Sequence, residues 1–353
     1  MHRALFLAER GRGRTSPNPM VGAVVVTADG VVVGQGFHER AGGPHAEVHA
    51  LEMAGGRARG ATLYCTLEPC CHSGRTGPCV GRIVSAGICR VVAATEDPNP
   101  VVQGQGFSYL RTHGVDVQVG VEAGAAVRLN QPFFTLIRKR RPFVVLKAAT
   151  SLDGCIASAP GRRTRLTSAA ADRHAHRLRA EVDAIGVGVG TILADDPLLT
   201  VRGIYRERPL TRVVFDRRLR TPPDARLLST REAGPVMIVT TANAAHSAVR
   251  AQLERRGAQL AVASDTTFRA ALEQLALRQV GSLLLEGGAE IHRAAWDEAL
   301  VDFVRLYVTP HVLGVGGVPF LGGRRFAASE LLEARVETLG PDVLMEGYVH
   351  RPY

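Results

Sequence analysis

His45-Ala46-Glu47 and, further along, Glu68-Pro69-Cys70-Cys71-His72-Ser73-Gly74-Arg75-Thr76-Gly77-Pro78-Cys79 decide how the first half of this chain is read. They supply one imidazole and two thiolates as donors for a divalent metal. Glu47 stands two residues after the first donor, where a carboxylate can move protons. A structural zinc closes its tetrahedron with a fourth protein ligand, whereas three ligands beside an acid leave room for water, whose pKa zinc lowers toward about 7. The expected ligands are therefore His45, Cys70 and Cys79, with Glu47 as the catalytic residue. Cys71 competes with Cys70 for the metal, and Pro69 directly before Cys70 favours Cys70. Cys65 and Cys89 lie in apolar, strand-like runs and read as core; Cys155 follows an Asp-Gly turn and reads as inert.

At 353 residues the chain exceeds what one core usually organises, so two domains are expected, 1–141 and 142–353, with the boundary marked by Arg138-Lys139-Arg140-Arg141 and Pro142. That basic run reads as a solvated linker. A 46% apolar, 22% charged composition is that of a globular protein, and no run of eighteen apolar residues excludes a spanning helix. The first ten residues have too short an apolar stretch for a signal peptide and read as an amphipathic helix, so a cytoplasmic location with reduced thiols is expected. A formal charge of +10 invites nucleic acid. The arginines are scattered, however, and aromatics make up only 5%, which leaves few stacking platforms; neither a nucleic-acid nor a membrane partner is expected.

The first half alternates strand and helix patterns: strands at 21–26 and 31–36 flanking Asp29-Gly30, a two-residue hairpin signal, then a helix over 46–54, a strand over 61–66, a helix over 80–86 and a strand over 90–95. This alternation suits a three-layer α/β sandwich, with His45 and Cys79 near helix starts whose free N–H groups favour anionic ligands. Beyond Pro142 the pattern restarts with strands at 143–148, 184–189, 212–216, 235–240, 282–286 and 303–309 and helices at 169–179, 245–256 and 291–300, implying a largely parallel sheet. No internal repeat is evident.

In this second half Gly186-Val187-Gly188-Val189-Gly190 is a weak dinucleotide signal, because the glycines alternate within a strand instead of opening a helix. Glu286-Gly287-Gly288 is more telling: a strand ending in two glycines before a helix lets backbone N–H groups approach a pyrophosphate, though a plain strand-to-helix turn would look the same. Arg217-Arg218-Leu219-Arg220 follows a strand and could meet a cofactor phosphate.

The first-half motif is similar to that of the zinc deaminases, in which the H-x-E carboxylate relays protons and is not a ligand. Most of these separate the two cysteines by two residues; here eight intervene, with His72 and Arg75 among them. This longer loop, with Pro17-Asn18-Pro19-Met20-Val21-Gly22, Gly36-Phe37-His38 and Glu96-Asp97-Pro98-Asn99-Pro100, resembles the pyrimidine deaminases of riboflavin biosynthesis. Leu146-Lys147, Ser151-Leu152-Asp153-Gly154, Gly188-Val189-Gly190-Thr191, Ala194-Asp195-Asp196-Pro197 and Glu286-Gly287-Gly288 extend the resemblance over nearly the whole chain, to the bifunctional deaminase/reductase family of that pathway.

The resemblance implies a cytidine-deaminase-like three-layer α/β/α domain followed by a dihydrofolate-reductase-like α/β domain. It also implies Zn2+ and NADPH as cofactors, a pyrimidine ribosyl phosphate as the small-molecule partner, and a homo-oligomer. Deamination of the 2,5-diamino pyrimidine phosphate would be followed by hydride delivery to the sugar C1′. By the same resemblance Asn18, His38 and His72 orient the pyrimidine and Arg75 pairs with the phosphate; Ala149, Thr191, Asp195, Gly287 and Gly288 contact the cofactor; and Arg179, Leu199, Arg202 and Glu286 contact the reductase substrate, the two arginines through their guanidinium forks. Lys147 lies near the reacting centre.

The chain departs from the family pattern at Arg163-Thr164-Arg165-Leu166-Thr167, where relatives carry a tryptophan, and at Glu290. Arg163 is then grouped with the substrate contacts. Arg165 is expected to replace ring packing with charge on the dinucleotide, and Arg217 to hold the 2′-phosphate. Two rivals predict other outcomes: a nucleic-acid base deaminase with an appended basic binding domain, and a non-enzymatic scaffold whose zinc has four protein ligands.

Overall fold

The computed structural model describes residues 1–71, 77–324 and 326–351, and the chain divides into two compact units, Met1–Lys139 and Arg140–Arg351. In the first, α1 (His2–Glu9) precedes β1 (Gly22–Val26), β2 (Val32–Phe37), α2 (Ala46–Ala54), β3 (Thr62–Cys65), α3 (Cys79–Ser85), β4 (Arg90–Ala93), α4 (Gln105–Thr112), β5 (Asp116–Val119), α5 (Ala123–Leu129) and α6 (Gln131–Lys139). The sheet order is β2-β1-β3-β4-β5; β1 runs antiparallel to both neighbours, while β3, β4 and β5 are parallel. Alternation along β1 divides two cores. Ala23 and Val25 join α2, α3 and α4, whereas Val24 packs with Ala4 and Leu7 of α1, so the sheet is the middle of three layers. Glycines permit this contact: a Cβ on Gly34 would lie 2.0 Å from the Ala50 carbonyl, and one on Gly36 would lie 2.7 Å from that of Ala46. Helix α2 therefore rests almost on the backbone of β2, and this fixes its first turn.

The Asp29-Gly30 connection is not the two-residue hairpin expected. Strand β1 ends at Val26 and β2 begins at Val32; the Gly30 N–H donates to Thr27 O and Gly30 takes φ +85°. A three-residue loop, Ala28-Asp29-Gly30, closed by the Thr27 N–H on the Val31 carbonyl and ending in a left-handed glycine, fits the twist of a pair already bulged at Val25/Val26.

The second unit comprises β6 (Phe143–Thr150), β7 (Cys155–Ala157), α7 (Ala169–Glu181), β8 (Ala184–Gly188), α8 (Val189–Asp195), β9 (Thr211–Phe215), β10 (Val236–Thr241), α9 (Ala242–Ala245), α10 (Ala248–Arg255), β11 (Ala258–Ala263), α11 (Phe268–Ala276), β12 (Ser282–Gly287), α12 (Ala289–Asp297), β13 (Phe303–Val308), β14 (Val318–Pro319), β15 (Leu332–Leu339) and β16 (Asp342–Tyr348). Nine strands form one sheet in the order β11-β10-β9-β8-β12-β6-β13-β16-β15, parallel as far as β13 and antiparallel beyond it. Helices α11 and α12 cover one face; α7, α8 and α10 cover the other.

The basic run before Pro142 is not a solvated linker. Helix α6 extends to Lys139, and Arg141 is buried, its guanidinium gripping Asp302 at 2.6 and 2.8 Å. Cys89, expected in the core, is exposed, whereas Cys65 and Cys155 are buried.

Candidate active sites

His45 is the N-cap of α2 and Cys79 opens α3; Cys70 lies on the segment after β3, its carbonyl accepting from the Val80 N–H. The three donor atoms lie within 4.8 Å of one another, with His45 Nδ1 3.3 Å from Cys79 Sγ and 3.4 Å from Cys70 Sγ. Zinc bonds of about 2.0 Å to nitrogen and 2.3 Å to sulfur, at tetrahedral angles, separate N from S by about 3.5 Å, so the donor set fits zinc. Among the described residues no fourth histidine, cysteine or carboxylate joins this group. Cys71 Sγ lies instead 3.9 Å from the Val101 carbonyl.

The electrostatics favour a thiolate at Cys70. The hydrogen bond from the Cys79 side chain outweighs burial, and with His45 and the Cys79 N–H, 3.4 Å away, it draws the Cys70 thiol down to about 4. His45 is pushed up by its hydrogen bond with Cys70. Glu47, in the first turn of α2, is only 3% exposed; burial pushes its carboxyl to about 7 against the pull of His45. It also exchanges a hydrogen bond with the Cys79 side chain.

Beside the triad, Asn18 Nδ2 lies 3.3 Å from His38 Nε2, His38 Nδ1 lies 3.0 Å from the Pro44 carbonyl, and the His38 ring meets that of His45 edge-on at 5.5 Å. Burial holds His38 below its ordinary value. His72 and Arg75 lie outside the described residues. One contributor had no role in the sequence reading: Glu68, buried, accepts backbone N–H bonds from Asp97, Gly104, Gly106 and Phe107 at 2.9–3.3 Å. It thereby ties the segment carrying Cys70 to the start of α4. A Cβ on Gly106 would lie 2.2 Å from the Pro69 carbonyl, so the approach requires glycine.

In the second unit Lys147 and Glu286 come together because β6 and β12 are neighbours, with Leu146 opposite Leu285. Arg179, near the end of α7, clamps Glu286 through Nε and Nη2 at 2.7 Å each and donates through Nη1 to the Thr200 carbonyl at 2.9 Å. Burial pushes the Glu286 carboxyl up, but Arg179 and Lys147 overcome it and hold it at about 2. The same burial lowers Lys147, whose ammonium lies 5.2 Å above the Tyr307 ring. The expectation that both arginine forks are open to a phosphate is thus corrected for Arg179, whose fork is taken by Glu286. Arg202 instead meets His176, a residue the sequence reading passed over.

The Thr191 hydroxyl lies against the glycine loop, 3.1 and 3.3 Å from where Cβ atoms of Gly287 and Gly288 would be. Gly188 is the N-cap of α8, so the alternating glycines do open a helix after all. Leu199 is buried at φ +54°, and Ala149 stands opposite Tyr307 across β6 and β13. Asp195, at the end of α8, is raised by burial and drawn back by Arg163. Arg165 is exposed and 3.4 Å from Asp172; Glu290 is exposed and pairs with Arg293 at 2.8 Å. Arg217 is exposed on the turn after β9, which Asp216 clasps through Thr221 at 2.7 Å.

A half-buried imidazole–dithiol triad beside a buried, helix-borne glutamate, joined in one chain to a largely parallel sheet with a glycine loop at its strand ends, defines a zinc-dependent deaminase fused to a reductase. Residues 1–95 match the zinc-binding region of cytidine and deoxycytidylate deaminases, and residues 142–345 match the RibD C-terminal domain. Riboflavin biosynthesis protein RibD of Aquifex aeolicus is 41% identical over 98% of this chain and 96% of its own; that of Escherichia coli is 39% identical over 98% and 97%. Among solved structures, Acinetobacter baumannii RibD matches with a TM-score of 0.87 at 35% identity, covering 98% of this chain and 97% of that one. A Thermotoga maritima diaminohydroxyphosphoribosylaminopyrimidine deaminase/5-amino-6-(5-phosphoribosylamino)uracil reductase matches at 0.84, also at 35% identity, covering 99% and 97%. The chain belongs to the RibD family of riboflavin biosynthesis proteins. The appended nucleic-acid-binding domain is not favoured, since the second half is the reductase domain of this family. No helix among the described residues is long and apolar enough to cross a membrane.

Proposed function

We propose that this chain carries out two consecutive steps of riboflavin biosynthesis. The first is hydrolytic deamination of 2,5-diamino-6-ribosylamino-4(3H)-pyrimidinone 5′-phosphate in residues 1–141; the second is NADPH-dependent reduction of the ribosyl to the ribityl side chain in residues 142–353. We also propose that it works as a cytoplasmic homo-oligomer. The observation that carries the first step is the three-donor group His45, Cys70 and Cys79 with buried Glu47 beside it. Zinc held by those donors lowers the pKa of water toward about 7 and so makes a nucleophile available at neutral pH. Glu47 would take one proton from that water and pass it to the ring nitrogen as the oxygen adds to the amine-bearing carbon, then take the second proton from the added hydroxyl and deliver it to the amine, whose bond to carbon breaks to release ammonia. Asn18 and His38 orient the pyrimidine, and by resemblance His72 joins them and Arg75 pairs with the phosphate.

In the second step NADPH, when bound, would be the source of the hydride that C1′ takes up as its bond to the ring oxygen opens. We assign the proton taken up by the opened sugar oxygen to Lys147, and the orientation of the sugar to Glu286 in its clamp with Arg179. Ala149, Thr191, Asp195, Gly287 and Gly288 line the cofactor side; Arg163, Leu199 and Arg202 line the substrate side. Arg165 and Arg217 add charge for the dinucleotide.

The decisive experiment supplies the diamino pyrimidine phosphate with and without NADPH and follows ammonia and nicotinamide absorbance separately. Ammonia is expected in both mixtures and NADPH oxidation only after deamination; ammonia from single-stranded DNA or tRNA instead would overturn the assignment. Arg217→Ala is expected to erode the preference for NADPH over NADH by about tenfold, the scale of one lost charge-assisted contact to the 2′-phosphate. An unchanged cofactor ratio would remove Arg217 from the cofactor site.

A further inference from the structure

On α7, Asp172, His176 and Arg179 follow one another at i, i+4 and i+7 and so share a face of the helix. Arg179 pairs its Nε and Nη2 with Glu286 and donates from its third nitrogen, Nη1, to the Thr200 carbonyl. His176, only 8% exposed, engages the same loop two residues further on: its Nδ1 lies 3.2 Å from the Arg202 backbone N, and its Nε2 lies 3.1 Å from both Nε and Nη2 of the Arg202 guanidinium. An unprotonated imidazole has one acceptor nitrogen and one N–H, so it can accept from the amide or from the guanidinium, not from both. Burial and the guanidiniums of Arg179 and Arg202 hold His176 at about 4, which keeps a lone pair available at neutral pH.

We infer that His176 is a positioning residue of the reductase site: its Nε2 accepts from the Arg202 guanidinium and orients it toward the 5′-phosphate of the substrate without neutralising it. This rests on the reductase reading above. A carboxylate in the same place would hold the guanidinium as firmly but would cancel its charge, as Glu286 does for Arg179, and would repel a phosphate dianion. A neutral acceptor supplies direction alone and leaves the positive charge to the ligand.

The test uses the full chain with His176→Ala, His176→Gln and His176→Asn, and reads KM and kcat for the deaminated substrate, KM for NADPH, and calorimetric binding of ribose 5-phosphate. A glutamine can carry an acceptor to the Nε2 position, whereas the shorter asparagine reaches only the Nδ1 position and can serve the backbone amide. His176→Ala is expected to raise KM for the phosphorylated substrate about tenfold or more, with kcat and the NADPH KM within about twofold. Glutamine should recover most of that loss and asparagine little, and the dephosphorylated substrate should not distinguish the variants. Equal rescue by asparagine, or an equal loss with the dephosphorylated substrate, would show that the imidazole only tethers the loop and would overturn the inference. If the unaltered chain oxidises no NADPH, the reductase reading fails on its own; weaker ribose 5-phosphate binding in His176→Ala would still support the role of His176, and unchanged binding would refute it.

Discussion

Glu47→Gln is expected to slow ammonia release by about 10²–10⁴-fold, the usual contribution of a positioned acid–base group, while the protein keeps its zinc. The substitution is nearly isosteric in a place with no spare room, since Glu47 is 3% exposed in the first turn of a helix that lies on the backbone of its neighbouring strand. Packing of α2 should therefore survive and with it the N-cap position of His45. What the amide cannot do is take a proton from water and return it to nitrogen. Zinc content measured by mass spectrometry separates this from the alternative: if metal and activity are lost together, Glu47 is a ligand. NADPH oxidation of the deaminated substrate provides an internal control, because the residues assigned to that step all lie beyond Arg140.

The first site was legible because metal ligation demands particular residue types at close spacing, and His45, Glu47, Cys70 and Cys79 fall within one short stretch. Helix α2 was legible for a related reason: a stretch rich in good helix formers, Ala, Glu, Leu and Met, begins after the ligand and stops at Gly55. The second site was not readable in this way. Lys147 and Glu286 become neighbours only through the strand order β12-β6, which no local pattern encodes. His176 looked like any polar residue on a basic helix, and its meaning depends on a loop that returns 26 residues later. Strand β15, Leu332–Leu339, was missed because Leu-Glu-Ala-Arg-Val-Glu-Thr-Leu favours helix by intrinsic preference and seven of its eight residues are exposed, so no alternation marks a buried face. It is a strand because β16 offers it a partner.

Arg141 is hidden from a sequence reading for the opposite reason. Four consecutive basic residues look solvated, yet the partner that buries one of them lies 161 positions away. Asp302 accepts both Arg141 Nη atoms and the Val144 N–H at 2.6–2.8 Å, while its own N–H donates to the Val144 carbonyl at 3.0 Å. The pair thus joins the start of β6 to the residue before β13, the strands that bring Lys147 beside Tyr307. With side chains 3% and 7% exposed, neither charge can return to water if the other is removed. Asp302→Ala should therefore cost the second unit about 3–5 kcal/mol. The single tryptophan, Trp296, lies on α12 in that unit, so urea unfolding followed by its fluorescence reads the loss directly. Arg141→Met combined with Asp302→Leu replaces two buried charges by apolar groups and should recover most of the stability, because removing both charges leaves none uncompensated. If the double variant is as unstable as Asp302→Ala alone, the cost lies in the lost Val144 hydrogen bond and not in a stranded guanidinium, since that bond is absent from both.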